Sequence, residues 1–114
     1  MKRSVLIIAS SDPRTCGDVA EAVRIAAGLA THECLAVTVC FDGRAVEALR
    51  AGAEDLLDGE FYADYLPLVA ASGTILSTAV VDDAALPGRQ VTCNRISPEE
   101  LQRLAERSER VLRF

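Results

Sequence analysis

The chain has 114 residues, room for one domain and no second, and at this length a single core buries roughly two thirds of the surface of the unfolded chain. Half of the residues are apolar but only 4% are aromatic, which points to Ala, Val, Leu and Ile packed between layers. A net charge of -5 argues against nucleic acid as a partner, and with one histidine, His32, and one lysine, Lys2, most acid/base, metal and phosphate-transfer machineries lack their usual parts.

Residues 4–9 form a continuous Val- and Ile-rich run, the pattern of a strand covered on both faces. Ser10, Ser11, Asp12 and Pro13 end it with a turn composition. Asp18, with Glu21 three residues later, reads as the cap of a helix starting near Val19. Val19, Ala22, Val23, Ala26, Leu29 and Ala30 then recur at spacings of three and four, one stripe to face a sheet. Residues 35–41 are the second strand, ended by Asp42 and Gly43, and residues 44–51 a short helix stopped by Gly52.

The acidic stretch 53–60 reads as an exposed excursion with one helical turn over 55–57. Residues 61–71 are helical by pattern, with Phe61, Tyr65, Leu66, Val69 and Ala70 on one side and Gly73 as the stop. Pro67 delays the regular part to about Tyr65, because a helix interior cannot spare its N–H. Residues 74–80 are the third strand, Asp82, Asp83 and 86–88 a loop, and residues 90–93 a short fourth strand. Ser97, Pro98, Glu99 and Glu100 give a helix start with cap and first-turn proline in the right order. Leu101, Leu104, Ala105 and Ser108 are its narrow buried face, and residues 111–114 return as the last strand. Arg103, Arg107, Arg110 and Arg113, interleaved with Glu99, Glu100, Glu106 and Glu109, read as a solvated helix face.

Strands alternating with helices through short loops predict a three-layer α/β/α sandwich on a five-stranded parallel sheet, spanning residues 1–114 as one domain. Ligands of such sheets collect beyond the carboxyl ends of the strands, here residues 10–17, 41–44, 77–79 and 93–95. The candidate ligand-binding residues are therefore Ser10, Ser11, Asp12, Thr15, Phe41, Ser77, Thr78 and Asn94.

The first loop lacks GxGxxG and GxxxxGK[ST] and has no lysine near it, so dinucleotide and P-loop readings fail. No apolar run approaches a membrane span, and Met1 to Arg3 lack the h-region and cleavage site of a signal peptide. Four cysteines at 16, 34, 40 and 93, with no CxxC pair, are expected to be reduced in a cytoplasmic compartment and to hold neither zinc nor disulfides. Cys16 has a claim to reactivity from the helix start beyond it and Arg14 beside it, opposed by Asp12 and Asp18, the other reading being an ordinary loop cysteine. Cys93, at the end of the fourth strand, is the second candidate thiol or else a small core residue. Cys40 and Cys34 read as packed and inert, and His32 as facing solvent.

The segments VLIIAS, EAVRIAAGLA, LAVTVCFDGRAVEAL, YLPLVAASGTIL and ISPEELQRLAERSERVLRF, above all FDG and the closing ERVLRF, resemble the DsrE/DsrF-like (YchN-like) family of sulfur-relay and related small proteins over nearly the whole chain. The resemblance implies an α/β/α sandwich and a homo-oligomer, a trimer or hexamer, or a mixed oligomer of related subunits. Sulfur-carrying members of that family place a persulfide-forming cysteine just after the third strand. The corresponding residues here are Ser77, Thr78 and Ala79, with no cysteine between Cys40 and Cys93.

Three functional readings follow. The first is a noncatalytic DsrE-like subunit, without cofactor or metal, that binds a partner or small ligand at its strand ends. The second is a persulfide carrier using a relocated cysteine, Cys16 or Cys93. The third is a flavodoxin-like nucleotide-binding module, opposed by the shortage of stacking side chains beyond Phe41, Phe61, Tyr62 and Tyr65.

Overall fold

Leu6, Ile7 and Ala9 have no solvent exposure, so the strand that carries them is covered on both faces, as its unbroken apolar run requires. This strand, β1 (Arg3–Ala9), stands inside a five-stranded sheet in a computed structural model that describes residues 2–50, 56–78 and 93–114. Its companions are β2 (Leu35–Phe41), β3 (Thr74–Ser77), β4 (Cys93–Arg95) and β5 (Arg110–Arg113). The order is β4-β3-β2-β1-β5 with every pairing parallel, Val5 level with Val37 and Leu6 with Val111.

Among the described residues the helices are α1 (Asp18–Ala30), α2 (Glu47–Arg50), entered through a 3-10 turn at Gly43–Val46, α3 (Gly59–Ser72) and α4 (Pro98–Arg107). Alternate strand residues feed two cores. Val5, Ile7, Ala9, Val37, Val39, Phe41 and Ile75 pack with α1, α2 and α3. Leu6, Ile8, Cys40 and Leu76 meet Leu101 of α4, with Ile96, Leu104, Ala105 and Val111 partly buried around them. The chain is an α/β/α sandwich as expected.

α1 buries Val19, Ala22, Val23 and Ala26 of the predicted stripe, joined by Ala20 and Ala27, while Leu29 and Ala30 are partly buried. Its start differs from the expectation that Asp18 caps it. Asp18 lies inside the helix, Gly17 is the cap residue with helical φ −81° and ψ −1°, and no side chain caps it. The backbone is already winding, since the amides of Thr15 and Cys16 both donate to the carbonyl of Asp12 (3.3 and 2.9 Å). A side-chain cap needs an extended residue at that point, and there is none. Asp18 still contributes through the helix dipole, while the Glu21 carboxylate turns to Arg24, which holds it below the usual carboxylate range.

α3 begins at Gly59, ahead of the predicted position, and runs straight through Pro67. Pro67 points to solvent, and the helix is held on its other side by Tyr62, Leu66 and Val69, which have almost no exposure. Burying side chains of this size contributes about 1.5–3 kcal/mol each, enough to offset one missing backbone bond. Leu56 is also buried, so the acidic stretch before α3 is not wholly an exposed excursion; residues 51–55, and with them part of that expectation and the stop at Gly52, lie outside the described residues.

Gly73 joins α3 to β3 where backbone meets backbone. Its amide donates to Val69 O at 2.7 Å, and a Cβ built on it would stand 2.7 Å from the carbonyl oxygen of Val37 in β2.

α4 opens with the predicted capping box: Ser97 Oγ accepts from the Glu100 amide (3.1 Å) and Glu100 Oε1 from the Ser97 amide (3.3 Å). The Arg and Glu residues around it are exposed as expected, but Arg110 and Arg113 belong to β5 and extend no helix face. Cys34, expected to be packed, is exposed in the turn before β2, and His32 faces solvent. The expected loop over 82–88 and the ends of the third and fourth strands at 79–80 and 90–92 fall outside the described residues.

Candidate functional site

Parallel strands deliver their carboxyl ends to one edge, and here those ends are tied together by backbone bonds. The Asp42 amide donates to Ala9 O (2.8 Å), the Thr78 amide to Phe41 O (3.2 Å), the Ile96 amide to Ser77 O (2.9 Å) and the Ser10 amide to Phe114 O (2.9 Å). Thr78 Oγ1 donates to Asp42 Oδ1 at 2.6 Å, which fixes both side chains.

The loop after β1 is an Asp-centred turn. Asp12 Oδ1 accepts from the Arg14 amide (3.0 Å), and its other oxygen lies 3.5 Å from the Arg44 guanidinium. Arg14 reaches Glu47 at 3.6 Å, and Pro13, fully buried, accepts through its carbonyl from the Leu57 amide (3.0 Å). These ion pairs are exposed enough to be worth little, but the buried proline and backbone bonds make the loop a fixed wall. Asp58, at positive φ (54°), brings its carboxylate to the start of α1, 3.0 Å from where a Cβ on Gly17 would stand.

The candidate residues separate by exposure. Ser10, Thr15 and Asn94 are exposed, and Ser11, Asp12 and Thr78 are half-buried. Phe41 and Ser77 are closed off from solvent at 0% and 1% exposure, so Phe41 reaches the edge only through its carbonyl. Asn94 pairs level with Leu76, three strand spacings away from β1.

Of the thiols, Cys16 is half-buried in the loop ahead of α1. Cys93 does not end β4, which runs on to Arg95; it lies level with Ile75 and packs against the larger core. Three strand spacings, about 14 Å, separate β4 from β1, so the two candidate thiols sit at different parts of the sheet. Cys40 is fully buried, and desolvation, reinforced by Asp42 and Cys93, pushes its thiol up to about 12, which keeps it protonated.

At the end of β3, where the resemblance would place a persulfide cysteine, Ser77 closes the strand and is buried, Thr78 follows it and is bonded to Asp42, and Ala79 lies outside the described residues. Among the described residues no group of three or more His, Cys, Asp and Glu side chains is placed to hold a metal ion.

The sequence reading passed over a cleft on the α4 side of this edge, about 230 Å³ in volume. Ile8, Leu101 and Ala105 form its floor, Pro98 and Gln102 one wall, and Asp42 and Arg113 its charged rim. These residues come from four separate elements. Only the helical spacing of 98, 101, 102 and 105 offered a signal.

No protein-family model matches the chain, and no curated protein matches it. Among solved structures, the crystal structure of ychN protein from E. coli superposes with a TM-score of 0.74 at 17% identity, covering 100% of both chains. The chain therefore has the YchN/DsrE-like α/β fold over its full length. No helix among the described residues is long and apolar enough to cross a membrane.

Proposed function

We propose that this protein is a noncatalytic DsrE-like subunit of a homo-oligomer or mixed oligomer, cytoplasmic and linked to sulfur metabolism, whose strand-end edge binds a small ligand or partner. The observation that supports the reading is the pair Ser77 and Thr78 at the end of β3, a buried hydroxyl and a hydroxyl bonded to Asp42, where the resemblance would put a sulfur-carrying cysteine. Hydroxyl oxygen cannot hold sulfane sulfur, and Cys40 nearby is kept neutral and enclosed. Light scattering is expected to give a particle of several subunits, and a thermal-shift panel of small metabolites at least one stabilising compound. A monomer with no stabilising compound refutes the reading.

A second reading, sulfur carriage on Cys16, is favoured by its half-buried place in the rigid loop ahead of α1. It requires a mass increment of one sulfur atom after incubation with a sulfane-sulfur donor, absent in Cys16→Ser. The intact protein taking up no sulfur excludes it.

A further inference from the structure

We infer that the cleft between α4 and the carboxyl ends of β1, β2 and β5 binds a small zwitterion, an α-amino acid with a medium-sized aliphatic side chain. The inference rests on reading the strand ends as a ligand-binding edge and names the chemistry of the ligand. Size comes first. A cleft of about 230 Å³ falls below the roughly 300–1,000 Å³ of pockets that enclose drug-sized molecules, so a flavin or nucleotide does not fit and an amino acid does.

The floor decides the body of the ligand. Ile8 is 3% exposed and Leu101 9%, and with Ala105 they present a continuous aliphatic surface without an aromatic plane for a ring to stack on. A branched or linear alkyl chain is the complement to such a surface.

The rim decides its ends. Asp42, just past the end of β2, and Arg113, on β5, carry opposite charges on either side of β1; Arg113 is level with Ile8 and Asp42 two places beyond Cys40, so two strand spacings across and two residues along separate their backbones by about 12 Å. They form no ion pair with each other, and Arg113 forms none with any described residue. Asp42 spends Oδ1 on Thr78, which orients the carboxylate and leaves Oδ2 for an ammonium. The Arg113 fork suits a carboxylate, so the rim offers a charged partner for each of the two charged groups of an α-amino acid. A ligand with only one of the two charges leaves the opposite rim residue without a partner.

The test is isothermal titration calorimetry of the intact protein with L-leucine, beside 4-methylpentanoate and 3-methylbutylamine, which each keep the alkyl chain and one charge. Saturable binding of L-leucine at one site per chain is expected. Each single-charge analogue should bind at least tenfold more weakly, with a similar loss for L-leucine in Asp42→Asn and in Arg113→Gln. Both variants retain the fold, because an asparagine oxygen still accepts from Thr78 and Arg113 is exposed; circular dichroism checks this. Absence of L-leucine binding, or binding unchanged in both variants, overturns the inference. If other metabolites of the thermal-shift panel stabilise the protein while L-leucine does not, the zwitterion assignment fails alone; if nothing binds, the ligand-binding edge fails with it.

Discussion

The same substitution, glycine to alanine, should act in opposite directions at Gly73 and Gly28. At Gly73 the added Cβ would lie 2.7 Å from Val37 O and 3.3 Å from Val69 O, both backbone atoms, one in β2 and one in the last turn of α3. Neither can move without breaking the parallel pairing of β2 with β3 or the closing bond of the helix. Overpacking of this kind costs about 1–3 kcal/mol, and the entropy the unfolded chain loses on gaining a side chain returns about 0.4–1 kcal/mol, for a net loss of about 1–2 kcal/mol. At Gly28, exposed on α1, an added Cβ meets nothing within 4 Å, so only the helix and entropy gains remain, about 0.5–1 kcal/mol of stabilisation. Urea unfolding followed by far-ultraviolet circular dichroism separates them. With a slope of about 1.5 kcal/mol/M, Gly73→Ala should lower the midpoint by about 1 M and Gly28→Ala raise it by about 0.5 M, with slopes unchanged. A Gly73→Ala midpoint at or above the parent value would refute the close approach of α3 and β3 to β2.

Pro67→Ala restores an amide donor on the exposed side of α3 and should stabilise the protein by about 1–2 kcal/mol in the same assay, after allowance for the freer unfolded chain; a loss would mean the proline is needed for the helix's course. Ser97→Ala removes one half of the capping box and should cost about 0.5–2 kcal/mol, seen as faster amide exchange in the first turn of α4. Stability should fall above pH 9, because the unfolded Cys40 thiol ionises from its ordinary value of 9.0 while the folded one holds its proton to about 12. The slope attributable to it, about 1.4 kcal/mol per pH unit between those limits, should vanish in Cys40→Ala, and an unchanged slope would count against its enclosure. In a native thiol titration Cys34 should label first and Cys40 only on unfolding.

β1, β2 and α1 were legible because each carries a local pattern, an unbroken apolar run in β1, β-branched and aromatic residues in β2, and small apolar residues at every third or fourth place in α1. The start of α4 was legible because its cap is entirely local. Harder cases involve a distant partner. α3 passes through Pro67 because Tyr62, Leu66 and Val69 are buried against α1 and the sheet, which a local rule about proline does not weigh. Asp18 fails as a cap because Asp12, six residues earlier, has already begun the turn. Cys93 does not end β4 because pairing with β3 carries the strand on to Arg95. The cleft was hidden for the same reason: Asp42 looked like a strand terminator and Arg113 like one more member of a charged helix face, and only the order of β2, β1 and β5 puts them across from each other.

That order bears on how the molecule is made. The backbone bonds between Ser4 and Glu109, and between Ser10 and Phe114, join residues synthesised more than a hundred positions apart, while β1 can pair with β2 once residue 41 has left the ribosome. A nascent chain that assembled its α1, α2 and α3 layer first would carry Leu6 and Ile8 uncovered until α4 arrived. A chaperone that grips aliphatic surface has its longest opportunity on that second face, and translation halted before residue 98 should leave a ribosome-bound chain that such a factor captures.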